Sequence, residues 1–220
     1  SRFNDVILAR VYGHEDVEEL AQNSSVPVIN ALSDRYHPLQ ILADLQTLQE
    51  RFGKSDLSGL RVTWVGDGNN VLHSYMAACP KLGIHLKVAV PEGYDSPPDI
   101  VQRWQAEAKR AGVEAEVTRD PREAVADAHC VVTDTWVSMG QEEEKQERLK
   151  SFAGYQVTES MCGKADKDWV FLHCLPRYPF EVDDQVFEGP RSLVFDAAEN
   201  RMWTVAAVLH DQLVGSTLVE

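Results

Sequence analysis

Two hydrophobic periods alternate along this chain. Short runs rich in β-branched and apolar residues predict strands at Val6–Val11, Val26–Ile29, Leu60–Val65, Leu86–Val90, Ala115–Thr118, Cys130–Thr133, Trp169–Leu172 and Ser192–Phe195. Between them, apolar positions recur every third or fourth residue. That spacing predicts helices at Asp16–Ala21, about His37–Phe52, one carrying Val71, Leu72, Met76 and Ala77, Ile100–Ala111, a short one from Pro121, Gln141–Leu149, and Glu199–Val214. The strands are apolar on consecutive positions, as in strands buried on both faces. Strand and helix alternate regularly, so the expected class is α/β, a parallel sheet with helices on both faces. The polar loop Gly53–Asp56 has linker character and precedes a fresh strand–turn–helix unit. The expected organisation is therefore residues 1–52, a main unit over 53–200, and a final helix over 201–220.

In an open parallel sheet, ligands bind beyond the carboxyl ends of the strands. Four polar clusters fall at such ends: Arg10, the turn Gly66-Asp67-Gly68-Asn69-Asn70, Asp134 with Ser138, and His173-Cys174. A fifth, His37-Pro38-Leu39-Gln40, opens a helix. Their common position makes one shared crevice the strongest reading of the residues alone.

The formal charge of −14 argues against sequence-independent nucleic acid binding, which needs clustered Lys and Arg. No apolar run is long enough to cross a bilayer, and no secretory segment is present. Cys79, Cys130, Cys162 and Cys174 are scattered without CxxC spacing, as in reducing compartments and unlike a zinc knuckle. The chain starts at Ser1 and runs almost at once into a strand, which suggests a natural start further upstream.

Specific chemistries compete at these clusters. Gly66-Asp67-Gly68 with Glu92 has the outline of a dinucleotide fingerprint, but Val71 stands where a third glycine would let helix and strand approach. His173 and Cys174 suggest a nucleophilic dyad, but strand neighbours point to opposite faces; a thiol there can equally pack or position a substrate. His37, His73, His129 and His173 lack metal-ligand spacing such as HxxxH, so no metal is expected. Glu142, Glu143 and Glu144 read as the solvated start of a charged helix, with Lys145 and Arg148 later in it.

Taken together, His37-Pro38-Leu39-Gln40, Gly66-Asp67-Gly68-Asn69-Asn70, Asp134-Thr135-Trp136-Val137-Ser138-Met139-Gly140, His173-Cys174-Leu175-Pro176-Arg177 and Ala198-Glu199-Asn200-Arg201 resemble the ornithine carbamoyltransferases, in order and over the whole chain. The wording around Trp136, Gln141–Arg148 and Pro190-Arg191-Ser192 is similar to the animal enzymes. The resemblance implies carbamoyl transfer from carbamoyl phosphate to the δ-amine of L-ornithine, giving L-citrulline and phosphate in the urea cycle and arginine biosynthesis. By position it implies that Arg10, His37, Gln40, Cys174, Leu175 and Arg201 hold carbamoyl phosphate. Asn70, Asp134, Ser138 and Met139 would hold ornithine, and Arg10, His37, Asp134 and Cys174 would be catalytic. It also implies no cofactor, a homotrimer, and the mitochondrial matrix, with the cytoplasm as alternative.

The chain departs from the family in one respect: it has no phosphate-gripping Ser-Thr-Arg-Thr sequence. Such a loop at a helix start is how a phosphate is usually held. The expectation is that these residues alone carry out no substantial carbamoyl transfer. The competing expectation is a non-catalytic relative that binds an amino acid or a partner subunit.

Overall fold

A computed structural model describes residues 1–137 and 142–215. The chain opens with β1 (Ile7–Arg10), α1 (His14–Asn23), β2 (Val28–Leu32) and α2 (Pro38–Phe52). It continues with β3 (Arg61–Val65), α3 (Asn70–Ala78), β4 (His85–Ala89), α4 (Pro98–Ala111), β5 (Ala115–Thr118), α5 (Pro121–Ala124) and β6 (Cys130–Thr133). Beyond these come α6 (Lys145–Ser151), β7 (Val170–His173), α7 (Asp184–Phe187) and α8 (Val194–Val214). β3 to β7 form one five-stranded parallel sheet in the order β5-β4-β3-β6-β7, while β1 and β2 pair separately, also in parallel.

The alternation of side chains along each strand feeds two cores. Val62 and Trp64 of β3, Cys130 and Val132 of β6, and Val170 and Leu172 of β7 point to one side. There they meet Leu48 of α2, Leu72 and Tyr75 of α3, Trp104 of α4 and Ala197 of α8. Val65, Val131 and Phe171 point to the other side, with Ala124 of α5, Phe152 after α6, and Val186 of α7. The expected parallel sheet with helices on both faces is what forms.

Two local signals place the helices of the first unit. Pro38 occupies the first turn of α2, where its fixed φ suits a helix and its missing N–H costs nothing. Gly53 ends the helix in the left-handed conformation, φ +62°, and the N–H groups of Gly53 and Lys54 bond the carbonyls of Glu50 and Gln49.

The last strand expected from the sequence, Ser192–Phe195, does not form. Only Ser192 bridges β7, through bonds from Phe171 N–H to the Arg191 carbonyl and from Leu193 N–H to the Phe171 carbonyl. α8 then starts at Val194, five positions before the expected Glu199, and runs without a break through residue 201. A run of four apolar residues fits a strand or a buried helix start equally well. Here Val194 and Ala197 turn inward as helical neighbours, both 0% exposed. Among the described residues, no helix is long and apolar enough to cross a membrane.

Candidate active site

The β3–α3 turn is closed by its own chain. A Cβ on Gly68 would lie 2.4 Å from the Ser96 backbone nitrogen and 2.5 Å from the Tyr94 carbonyl oxygen, and Gly68 N–H donates to that same oxygen. The glycine therefore admits the 94–96 backbone and leaves no cradle for a pyrophosphate. This removes the dinucleotide reading. Asn69 caps α3, its Oδ1 accepting from the Val71 and Leu72 N–H groups at 3.0 and 3.2 Å. Its Nδ2 donates to Asp134 Oδ2 at 2.9 Å, so one amide both starts a helix and holds a carboxylate at the end of β6. Asn70, the residue expected at the substrate, donates to the Ser33 carbonyl across from it, tying α3 to the loop after β2.

Asp134 is buried, and desolvation raises its carboxyl above the ordinary aspartate value, with the Glu181 carboxylate adding to the rise and His173 opposing it. His173 points into the other core. Its Nδ1 accepts from Leu175 N–H at 2.9 Å, so the proton sits on Nε2 and is donated to Glu181 at 3.1 Å. Glu181, fully buried, also accepts from the Trp136 and Tyr178 N–H groups. Cys174 packs against the opposite core, so the two neighbours form no dyad. Burial, together with the facing Asp134 and Asp44 carboxylates, pushes the Cys174 thiol well above its usual range. It is a thiol rather than a thiolate, unsuited to nucleophilic attack.

The opposite wall is cationic. Arg10 ends β1, and Arg201 of α8 donates to Gln40 Oε1 at 2.6 Å. His37 is 3% exposed; desolvation, then Arg201 and Arg10, lowers it from 6.5 to about 4, so its imidazole is neutral at pH 7. Among the described residues, neither His37 Nδ1 nor Arg201 Nε has a hydrogen-bond partner, although both are buried.

A cleft of about 1190 Å³ joins the walls; Arg10, His37, Asn70, Asp134, Cys174, Leu175 and Arg201 all line it. A smaller cavity of about 260 Å³ shares Cys174, Leu175 and Arg201 and adds Gln40. The structure thus places every described site residue expected from the sequence on the cleft, except Gln40, which lines the smaller cavity that shares Cys174, Leu175 and Arg201 with it. Ser138 and Met139 lie outside the described residues. No group of three or more His, Cys, Asp or Glu side chains able to hold a metal ion occurs among the described residues.

Sequence reading missed four partners. Arg148, expected on a solvated helix, is 7% exposed and reaches inward, donating to Asp67 Oδ2 and to the Trp136 carbonyl. Burial holds Asp67 up at about 6 despite that guanidinium. Asp44 and Glu181 are buried carboxylates inside otherwise apolar stretches, which is the signal that could have exposed them.

One cleft thus carries a carboxylate with its amide partner, two guanidiniums and a neutral imidazole, and family models matching most of the chain decide where it belongs. The chain belongs to the aspartate/ornithine carbamoyltransferase family. Residues 58–211 match its Asp/Orn binding domain and residues 1–50 its carbamoyl-P binding domain. The chain is 54% identical over 209 residues to the mitochondrial ornithine transcarbamylase of Gallus gallus, covering 95% of this chain and 58% of that one. It is 52% identical to the mitochondrial ornithine carbamoyltransferase of Aquarana catesbeiana, covering 95% of this chain and 59% of that one. A solved ornithine carbamoyltransferase from Pyrococcus furiosus superposes with a TM-score of 0.92 at 46% identity, over 97% of this chain and 68% of that structure. The chain thus spans less than two thirds of the two animal relatives.

Proposed function

We propose that this chain is the ornithine-binding domain, with the trailing part of the carbamoyl phosphate domain, of an ornithine carbamoyltransferase. The reading is carried by one observation: the Asn69–Asp134 pair, the Arg10–His37–Arg201 group and Cys174 line one cleft, and Cys174 feels the charges of Asp134, Arg201 and Arg10 together. Residues 1–52, 53–200 and 201–220 are the proposed functional divisions.

The chemistry suits these groups. Ornithine's δ-ammonium loses a proton to solvent, which a partly dry site makes easier. The freed nitrogen attacks the carbamoyl carbon and passes its surplus proton to the departing phosphate, while negative charge building on the carbonyl oxygen is stabilised by Arg10 and a neutral His37 N–H. The carbon–oxygen bond to phosphate then breaks with its electron pair on phosphate, whose negative charge Arg201 accommodates. Asp134, Asn70, Ser138 and Met139 orient the amino acid, and Cys174 with Leu175 shapes the reaction centre. No covalent intermediate with the protein is required. The names of the two animal relatives support a mitochondrial location, the matrix being our reading with the cytoplasm as alternative, and a homotrimer is proposed from the family resemblance of the motifs alone.

The test is citrulline formation from ornithine and carbamoyl phosphate by the protein carrying this sequence at its natural length. Turnover is expected. Asp134→Ala should raise the ornithine KM by at least about tenfold, and Arg10→Ala should lower kcat more than it changes that KM. Ornithine binding without any citrulline at saturating substrates would favour the non-catalytic relative instead.

A further inference from the structure

Asp44 lies in the middle of α2, 2% exposed, and lines neither the cleft nor the smaller cavity. Its Oδ1 accepts from Gln40 Nε2 at 2.9 Å, and its Oδ2 accepts from the Tyr75 hydroxyl of α3 at 2.8 Å. An ionised carboxylate can only accept. Gln40 must therefore give Asp44 its amide N–H and turn its carbonyl oxygen the other way, where that oxygen takes the Arg201 guanidinium at 2.6 Å. Were the Gln40 amide reversed, its NH2 group would face Arg201 donor to donor and the guanidinium would be pushed away. Asp44 thus selects one of two nearly isosteric amide orientations, and α8 reads that choice through Arg201.

We propose that Asp44 is a positioning residue for the carbamoyl phosphate side of the cleft, acting through Gln40 to hold Arg201 in place. This rests on the proposed carbamoyl transfer and adds to it a group that touches neither substrate. The Tyr75 bond gives the same carboxylate a second function, fixing α2 to α3, and the two functions separate on substitution. Loss of the structural bond alone weakens the fold. Loss of the Gln40 bond releases Arg201 and affects one substrate only.

The experiment measures both KM values and the thermal midpoint for the protein at its natural length. Asp44→Ala should raise the carbamoyl phosphate KM by about tenfold while the ornithine KM stays within about twofold. Asp44→Asn keeps an acceptor oxygen for Gln40, and the Tyr75 hydroxyl can turn to accept from its amide, so carbamoyl phosphate KM should return to within about threefold of the parent. Tyr75→Phe should lower the midpoint and leave both KM values unchanged. If the alanine cavity unfolds the chain, Asp44→Leu fills the space without an acceptor and repeats the measurement. An unchanged carbamoyl phosphate KM in Asp44→Ala, or an equal rise in both KM values, overturns the positioning role while carbamoyl transfer stands. A parent protein that makes no citrulline overturns the transferase reading, and the positioning role falls with it.

Discussion

At the scale of single residues, two buried groups, His37 at the N-cap of α2 and Asp44 within it, oppose each other in pH. Burial raises Asp44 from 3.8 to about 6, and burial with two facing guanidiniums lowers His37 from 6.5 to about 4. The Asp44 contribution to stability is full below its unfolded value and is lost as pH rises through about 6. The His37 contribution is full above its unfolded value and is lost as pH falls through about 4. Each shift corresponds to about 3 kcal/mol, and between those limits they largely cancel. Asp44→Asn removes one arm, so acidification from about pH 6.5 to about 4.5 should destabilise the variant by about 2 kcal/mol more than the parent. Urea unfolding at the two pH values reads this directly, and parallel pH dependences would show that Asp44 is ionised throughout. At this scale the sequence was partly legible. Arg10, His37, Asp134 and Cys174 advertise themselves because each stands at the end of a strand or the start of a helix. Asp44 carries only the fainter signal of a lone carboxylate between Ala43 and Leu45, and its burial becomes evident when α3 is folded over it.

At the scale of elements, the start of α3 carries more than its length suggests. Asn69→Ala removes the cap and deprives Asp134 of its amide donor in one change. A cap alone is worth about 1 kcal/mol, and a buried carboxylate losing a partner adds about 1–3 kcal/mol. The thermal midpoint should fall accordingly, and more than for Asp120→Ala, which removes the cap of the shorter α5 without touching the cleft. Equal losses in a side-by-side melt would mean that the Asn69–Asp134 bond adds nothing to stability. The choice between Asn69 and Asn70 was beyond sequence reading, because both amides sit at a helix entrance and only the fold decides which one faces β6. The end of the sheet was misread for a related reason. Strand and helix were equally compatible with Ser192–Phe195, and tertiary contact with β7 through Ser192 and Leu193 settled the matter. α6 was read correctly as charged, yet Arg148 turns inward because Asp67 and the Trp136 carbonyl offer acceptors at the cleft edge.

At the scale of the whole molecule, the parallel sheet was legible because its strands are apolar on consecutive positions, and burial on both faces is the one environment that demands this. What the pattern could not show is that the first two strands stand apart from the other five. The sheet of β3 to β7 is covered on both faces, whereas β1 and β2 pair with each other alone among the described residues, and Leu8 is 52% exposed. Two strands are too few to be stable by themselves. This gives these 220 residues on their own unequal cooperativity. The amide protons of Ile7 and Val11, bonded to the Pro27 and Leu32 carbonyls, should exchange with solvent through local opening, several kcal/mol below the global limit. Those of His85 and Val170, within the large sheet, should exchange only on full unfolding. Uniform protection in native-state hydrogen exchange would refute the division. Because Arg10 closes β1, its part of the cationic wall would come and go with the breathing of that pair, while His37 on α2, Arg201 on α8 and the acidic wall keep their places for as long as the large sheet survives.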